Sequence, residues 1–151
     1  MNANDAMPSR MLGVDFGAQR IGIAVSEGSI AVPLTIVEHE NRERDLDRVA
    51  VLARDQSVAA VVVGLPMLES GDEGEQALRT RRFGDALARR LDVPVLYHDE
   101  RYSSLRAEQA RADAPARRNS KPGRKPRVDD AAAAMILQAY LDAAPAEADG
   151  R

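Results

Sequence analysis

The order of apolar and polar residues predicts a mixed α/β domain: a sheet antiparallel at first and parallel later, with helices on its faces. Three observations carry this. Alternating runs at about 11–16, 20–27 and 30–38 are joined by connections too short for anything but hairpins. The stretch VAAVVVGLP at 58–66 is apolar without alternation, as in a central strand covered on both faces. Segments with helical spacing then separate the later strands, giving the order βββαβαβα and one edge where the parallel strands end.

The elements follow in turn. MNANDAMPSR reads as a flexible leader over 1–10. In the first strand Leu12, Val14 and Phe16 share one face, while Gly13, Asp15 and Gly17 share the other. The second strand repeats the division, with Ile21, Ile23 and Val25 opposite Gly22, Ala24 and Ser26. Pro33 lacks an N–H and assigns the third strand to a sheet edge. A helix over about 41–55 presents Leu46, Val49, Ala50 and Ala53, and a second, ending near Leu91, presents Phe83, Leu87 and Leu91. VPVLYH at 93–98 is the fifth strand, and Ser103 or Ser104 suits the N-cap of a short helix. Residues 113–127, with three prolines and a glycine, read as a mobile loop. The last helix is expected from about Asp129 to Asp142. The domain thus spans 11–142, before a flexible tail over 143–151.

With 151 residues and 44% hydrophobic content, the chain can build one core. It has no cysteine, which excludes disulfides and thiolate metal sites. No run approaches the roughly 20 apolar residues of a membrane span, and the N-terminus has no apolar signal segment. A cytoplasmic protein without a membrane partner is expected. The net charge of −3 conceals a strong asymmetry: nine basic residues between Arg101 and Arg127 face only Glu108 and Asp113, a local balance of +7. Such a patch attracts a polyanion, although a solvated loop has the same composition.

Three groups of acids fall near the edge where the parallel strands end: Asp15, Asp99–Glu100, and Asp129–Asp130. An acid at a helix start serves as a cap, which is one reading of Asp129 or Asp130. Asp99, Glu100 and Arg101 can pair among themselves in a polar turn. Asp15 is different, because a carboxylate among apolar neighbours needs a cation, donors or solvent. The flanking glycines remove side chains that would crowd a ligand. Carboxylates converging on one point suit hard divalent cations such as Mg²⁺, which in pairs roughly 3.5–4 Å apart assist phosphodiester hydrolysis. With only His39 and His98 in the chain, an imidazole-rich zinc site is not expected.

Four motifs, VDFGAQRIGIAVSE, VVVGLP, DERYSS and VDDAAAAMILQAYL, occur in an order that resembles the YqgF-type family of RuvC-like Holliday junction resolvases and pre-16S rRNA nucleases. The resemblance covers about 11–142. It implies an RNase H-like fold with sheet order 3-2-1-4-5, helices on both faces, and nuclease activity dependent on Mg²⁺ or Mn²⁺. It places the metal-binding, catalytic acids at Asp15, Glu100 and Asp129, with Asp130 departing from the family pattern and competing as ligand. Arg20 resembles the arginine of the family's RIG motif, and Arg101 follows the ligand Glu100. Together with Arg117, Arg118, Lys121, Arg124, Lys125 and Arg127 they are expected to contact nucleic acid. Arginines 79, 81, 82, 89 and 90 either extend that surface or form a solvated helix face.

The expected substrate is a ribosomal RNA precursor or branched DNA. A homodimer suits a two-fold junction, and a monomer suits RNA-end processing. Two other functions fit parts of the sequence. One is a noncatalytic RNA- or ribosome-binding factor. The other is an actin-like phosphotransferase, which needs a second domain and a second phosphate loop.

Overall fold

The computed structural model describes residues 9–100 and 128–149, with side chains excepted at 128–130 and 144–149. Strands β1 (Met11–Phe16), β2 (Arg20–Glu27) and β3 (Ile30–Glu38) are followed by α1 (Arg42–Asp55), β4 (Ala60–Leu65), α2 (Glu75–Ala88), β5 (Val95–Asp99) and α3 (Val128–Asp149). The sheet order is β3-β2-β1-β4-β5. β2 pairs antiparallel with β1 and β3, whereas β1, β4 and β5 run parallel. The expected short helix after Ser103 and the loop at 113–127 lie outside the described residues.

Local chemistry explains the connections. Gly28, with φ of +64°, opens the two-residue β2–β3 turn, a conformation that side chains resist. β3 is an edge strand, as Pro33 requires, and a one-residue bulge at Leu34 separates the pairs Ile23↔Thr35 and Ala24↔Pro33. α1 starts where the Asn41 side chain accepts from the Arg44 N–H at 2.9 Å. α2 stops at Ala88, so Leu91 packs on the core from beyond the helix. α3 continues past the expected end near Asp142 to Asp149.

The two faces of the sheet are unlike. Leu12, Val14, Ile21, Ile23, Val61 and Val63 pack with Leu46, Val49 and Ala53 of α1 and Phe83 and Leu87 of α2. The opposite face is thin: Ala24 and Val62 meet Ala133, Ile136, Leu137 and Leu141 of α3. The small residues of β1 and β2 are therefore matched to a helix that lies close against them. A Cβ at Gly13 would stand 2.8 Å from the Leu137 Cβ and 3.1 Å from the Ala133 carbonyl oxygen. This corrects the expectation that the glycines beside Asp15 clear space for a ligand. Gly13 makes room for α3, and Gly17 for a turn, since its Cβ would stand 2.8 Å from the Arg20 carbonyl oxygen.

Contacts along α3 also fix its direction. Ile136 lies over Gly64, Leu137 and the Ala133 carbonyl lie over Gly13, and Gln138 reaches the β2–β3 hairpin at the other end of the sheet. There its Oε1 accepts from the Ala31 N–H at 2.8 Å and its Nε2 donates to the Ser29 carbonyl at 3.0 Å. α3 thus runs antiparallel to β1, and its first turn, containing Asp129 and Asp130, lies toward the C-terminal edge of the parallel strands.

Gly13→Val is expected to force α3 off the sheet and destabilise the fold by about 1–3 kcal/mol, the usual cost of overpacking. Urea unfolding measures it, and a variant as stable as wild type would show that the close approach is dispensable.

Candidate active site

Asp15 sits one residue before the end of β1, on the face turned to α3. The pair Val14↔Val63 brings it level with Gly64, which in turn pairs with His98 in β5. Glu100 follows directly on β5 and folds back over that glycine. A Cβ at Gly64 would come within 2.8 Å of a Glu100 carboxyl oxygen and 2.5 Å of the Ile136 Cδ1. The absence of a side chain at Gly64 is what lets Glu100 reach Asp15. Nothing in the sequence analysis gave Gly64 this role. The available signal was a glycine interrupting an otherwise apolar β4, level with the only acid in β1.

The carboxyl groups of Asp15 and Glu100 are joined by a hydrogen bond. Burial pushes the Glu100 carboxyl up to about 7, and the charge of Asp15, that hydrogen bond and the charge of Asp99 act in the same direction. Two carboxyls in contact share a proton unless a cation takes its place. Their hard oxygen donors fit Mg²⁺ or Mn²⁺. Among the described residues no three His, Cys, Asp or Glu side chains gather in a metal-binding group. The side chains of Asp129 and Asp130, the candidates for a third acid, are outside the described residues.

His98 does not act as a third donor in this arrangement. Its ring stands edge-on to Tyr140 at 6.2 Å, its Nε2 is buried with no hydrogen-bond partner among the described residues, and burial lowers its pKa against the opposing charge of Asp99. Other groups hold the rim. Gln76 in the first turn of α2 donates from Nε2 to the Phe16 carbonyl at 3.3 Å. Arg20 opens β2 opposite Glu38, with its own interactions in the protein.

The expected nucleic-acid contacts are only partly within view. Arg101, Arg117, Arg118, Lys121, Arg124, Lys125 and Arg127 lie outside the described residues. On α2, Arg81 binds Glu73 and stacks 4.7 Å from the Tyr97 ring centre. Arg90 joins Glu43 and Asp47, and Arg79 approaches Glu75 at 3.5 Å. These three serve the protein's own acids. Arg82 and Arg89 are exposed and have no partner among the described residues.

The sheet order β3-β2-β1-β4-β5, with helices on both faces, is that of the RNase H-like fold. The solved structure of Thermus thermophilus RuvC bound to a Holliday junction is similar, with a TM-score of 0.63 and 17% identity over 92% of this chain and 97% of that one. The fowlpox virus Holliday junction resolvase matches with a TM-score of 0.52 and 14% identity over 88% of this chain and 98% of that one. The chain belongs to the RuvX family, described as Holliday junction resolvase, whose model matches residues 9–143. Relatives named "Putative pre-16S rRNA nuclease" come from Chloroflexus aggregans, 43% identical over 88% of this chain and 93% of its length, and Roseiflexus, 38% identical over 89% and 95%. Another, from Lactococcus lactis, is 38% identical over 91% of this chain and 96% of its own. Among the described residues no helix is long and apolar enough to cross a membrane.

The carboxyl pair sets a pH dependence. Below the ordinary glutamate value of 4.5, Glu100 is protonated in both folded and unfolded chains. Between 4.5 and about 7 the unfolded chain loses a proton that the folded one keeps, so stability falls as pH rises. Melting temperatures in EDTA should decline across this window, and Glu100→Gln should remove that part of the decline. Equal pH profiles for variant and wild type would contradict the contact.

Proposed function

We propose that this chain is a metal-dependent nuclease that hydrolyses phosphodiester bonds at the edge formed by β1, β4, β5 and the first turn of α3. One observation supports this above the others: Asp15 and Glu100 meet in a hydrogen-bonded carboxyl pair where the parallel strands end. Family membership supplies the reaction class.

Asp15 and Glu100 hold Mg²⁺ or Mn²⁺, with Asp129 as the third ligand and Asp130 as its competitor. When bound, such ions supply Lewis-acid activation of water and of the leaving oxygen. The protein's own contribution is placement. β1 and the glycine cradle at Gly64 fix two carboxylates, and α3 brings the third acid toward them. Arg20 and Arg101 orient the scissile phosphate, Arg101 by a bidentate contact. Arg117, Arg118, Lys121, Arg124, Lys125 and Arg127 grip the flanking backbone through counterion release. With only 3% aromatic residues, recognition rests on backbone and shape more than on base stacking.

The names of the relatives favour precursor 16S rRNA as substrate, and the structural neighbours favour a four-way DNA junction. Purified protein offered both substrates with Mg²⁺, Mn²⁺ or EDTA separates them. Cleavage should require a divalent ion and fall more than about a hundredfold in Asp15→Asn and Glu100→Gln, beyond the usual loss on changing an outer-shell residue. Asp129→Asn should match those losses and Asp130→Asn should not. Cleavage that survives Asp15→Asn or ignores EDTA would exclude the mechanism. Binding at normal affinity in Asp15→Asn, without turnover by wild type under any metal, would instead identify a noncatalytic RNA-binding factor.

Replacing Arg124 and Lys125 by alanine should weaken binding for all sequences. If both contact phosphates, the slope of log affinity against log salt should fall by roughly 0.7–0.9 per lost contact. An unchanged slope would assign the loop to solubility alone. Sedimentation of the free protein decides between a dimer, suited to two-fold junctions, and a monomer suited to RNA ends.

A further inference from the structure

We propose that His39 is a positioning residue for this site: as a doubly donating imidazolium it fastens the β1–β2 turn to α1 and so fixes the end of β1 from which Asp15 projects. The inference rests on the assignment of Asp15 as a metal ligand.

The geometry supports it from both sides of the ring. His39 Nε2 is 2.9 Å from the Gly17 carbonyl oxygen, which can only accept. Nδ1 is 2.8 Å from an Asp45 carboxylate oxygen, while the other oxygen of that carboxylate accepts from the Glu40 N–H at 3.0 Å. A neutral imidazole has one N–H and cannot donate to both acceptors. The ring also stands edge-on to Phe16 at 5.4 Å, and the opposite contact of Phe16 is Phe83, stacked at 4.4 Å. The residues after Asp15 are thus held at ring and carbonyl, and only Ala18 and Gln19 separate Gly17 from β2. A displaced Gly17 carbonyl must be absorbed within a few bonds of Asp15.

The surrounding charges agree with a cationic ring. Burial alone lowers the His39 pKa, but the Gly17 carbonyl, Asp45 on α1 and Glu38 at the end of β3 together carry it above 6.5. Arg20 stands across from Glu38 on β2, and Arg48 pairs with Glu40. α2 contributes Phe83 and Gln76 to this region, neither of them charged. The clamp is closed at low pH and is lost as pH rises through the folded-state value.

Nitrogen-15 spectra of the metal-free, full-length chain test this without substrate, so an inability of wild type to cut RNA or DNA has no bearing on the result. At about pH 6.5, the ordinary histidine midpoint, both His39 ring nitrogens should be mainly protonated. The backbone amides of 16–20 should shift with the same midpoint as the ring. In calorimetry at that pH, His39→Gln should bind Mn²⁺ about tenfold more weakly than wild type, the scale of an outer-shell loss. A single neutral tautomer at this pH would overturn the proposal, as would ring titration that leaves those amides unmoved. So would a folded His39→Gln with wild-type Mn²⁺ affinity, which would leave His39 a role in stability only. Should His39→Gln not fold, the wild-type titration decides alone.

Discussion

Two carboxyl groups in hydrogen-bond contact cannot both carry charge in a partly buried position unless a cation lies between them, and the fold brings Asp15 and Glu100 into that contact. The parallel register of β1, β4 and β5 aligns Asp15, Gly64 and His98 across the sheet. The missing side chain at Gly64 lets Glu100 lie over β4. Folding alone gives no reason to bring two acids together, because it would leave Glu100 protonated near neutral pH. A divalent ion bound there would give one, since its charge would replace the shared proton and relieve the repulsion between the two carboxylates.

The rest of the architecture serves that edge. α1 and α2 fill the bulky face of the sheet and supply its rigid support. α3 packs on the thin face, close enough that Gly13 tolerates no side chain, and runs antiparallel to β1. Its first turn is thereby carried toward the carboxyl pair, while Gln138 anchors its other part to the β2–β3 hairpin. The arginines of α2 and of the turn that follows it illustrate the division of labour. Arg81 and Arg90 tie acids to the scaffold, and the sequence concentrates basic residues, nine against two acids, between Arg101 and Arg127.

Much of the fold was legible because its signals are local. Alternation in β1 and β2, the proline in β3 and the stripe Leu46, Val49, Ala50 and Ala53 each report a burial pattern that the structure reproduces. The antiparallel-then-parallel character followed from connection lengths, whereas the order 3-2-1-4-5 came from resemblance, since strand neighbours are a long-range property. At the site, Asp15 stood out as an acid in an apolar strand. What alternation could not reveal was the occupant of the space beside it. Gly13 faces a helix distant in sequence, and the glycine that clears the way for an acid is Gly64, on another strand. The bonds of His39 were equally hidden, because they link the β1–β2 turn to α1 through a carbonyl that no sequence pattern marks.

Anomalous diffraction from crystals soaked in Mn²⁺ tests the central claim most directly. A manganese peak between the Asp15 and Glu100 carboxylates, at ordinary metal–oxygen bonding distance and with a third ligand from the first turn of α3, is the predicted result. Carboxyl groups still hydrogen-bonded to each other at saturating Mn²⁺, with no peak beside them, would contradict it.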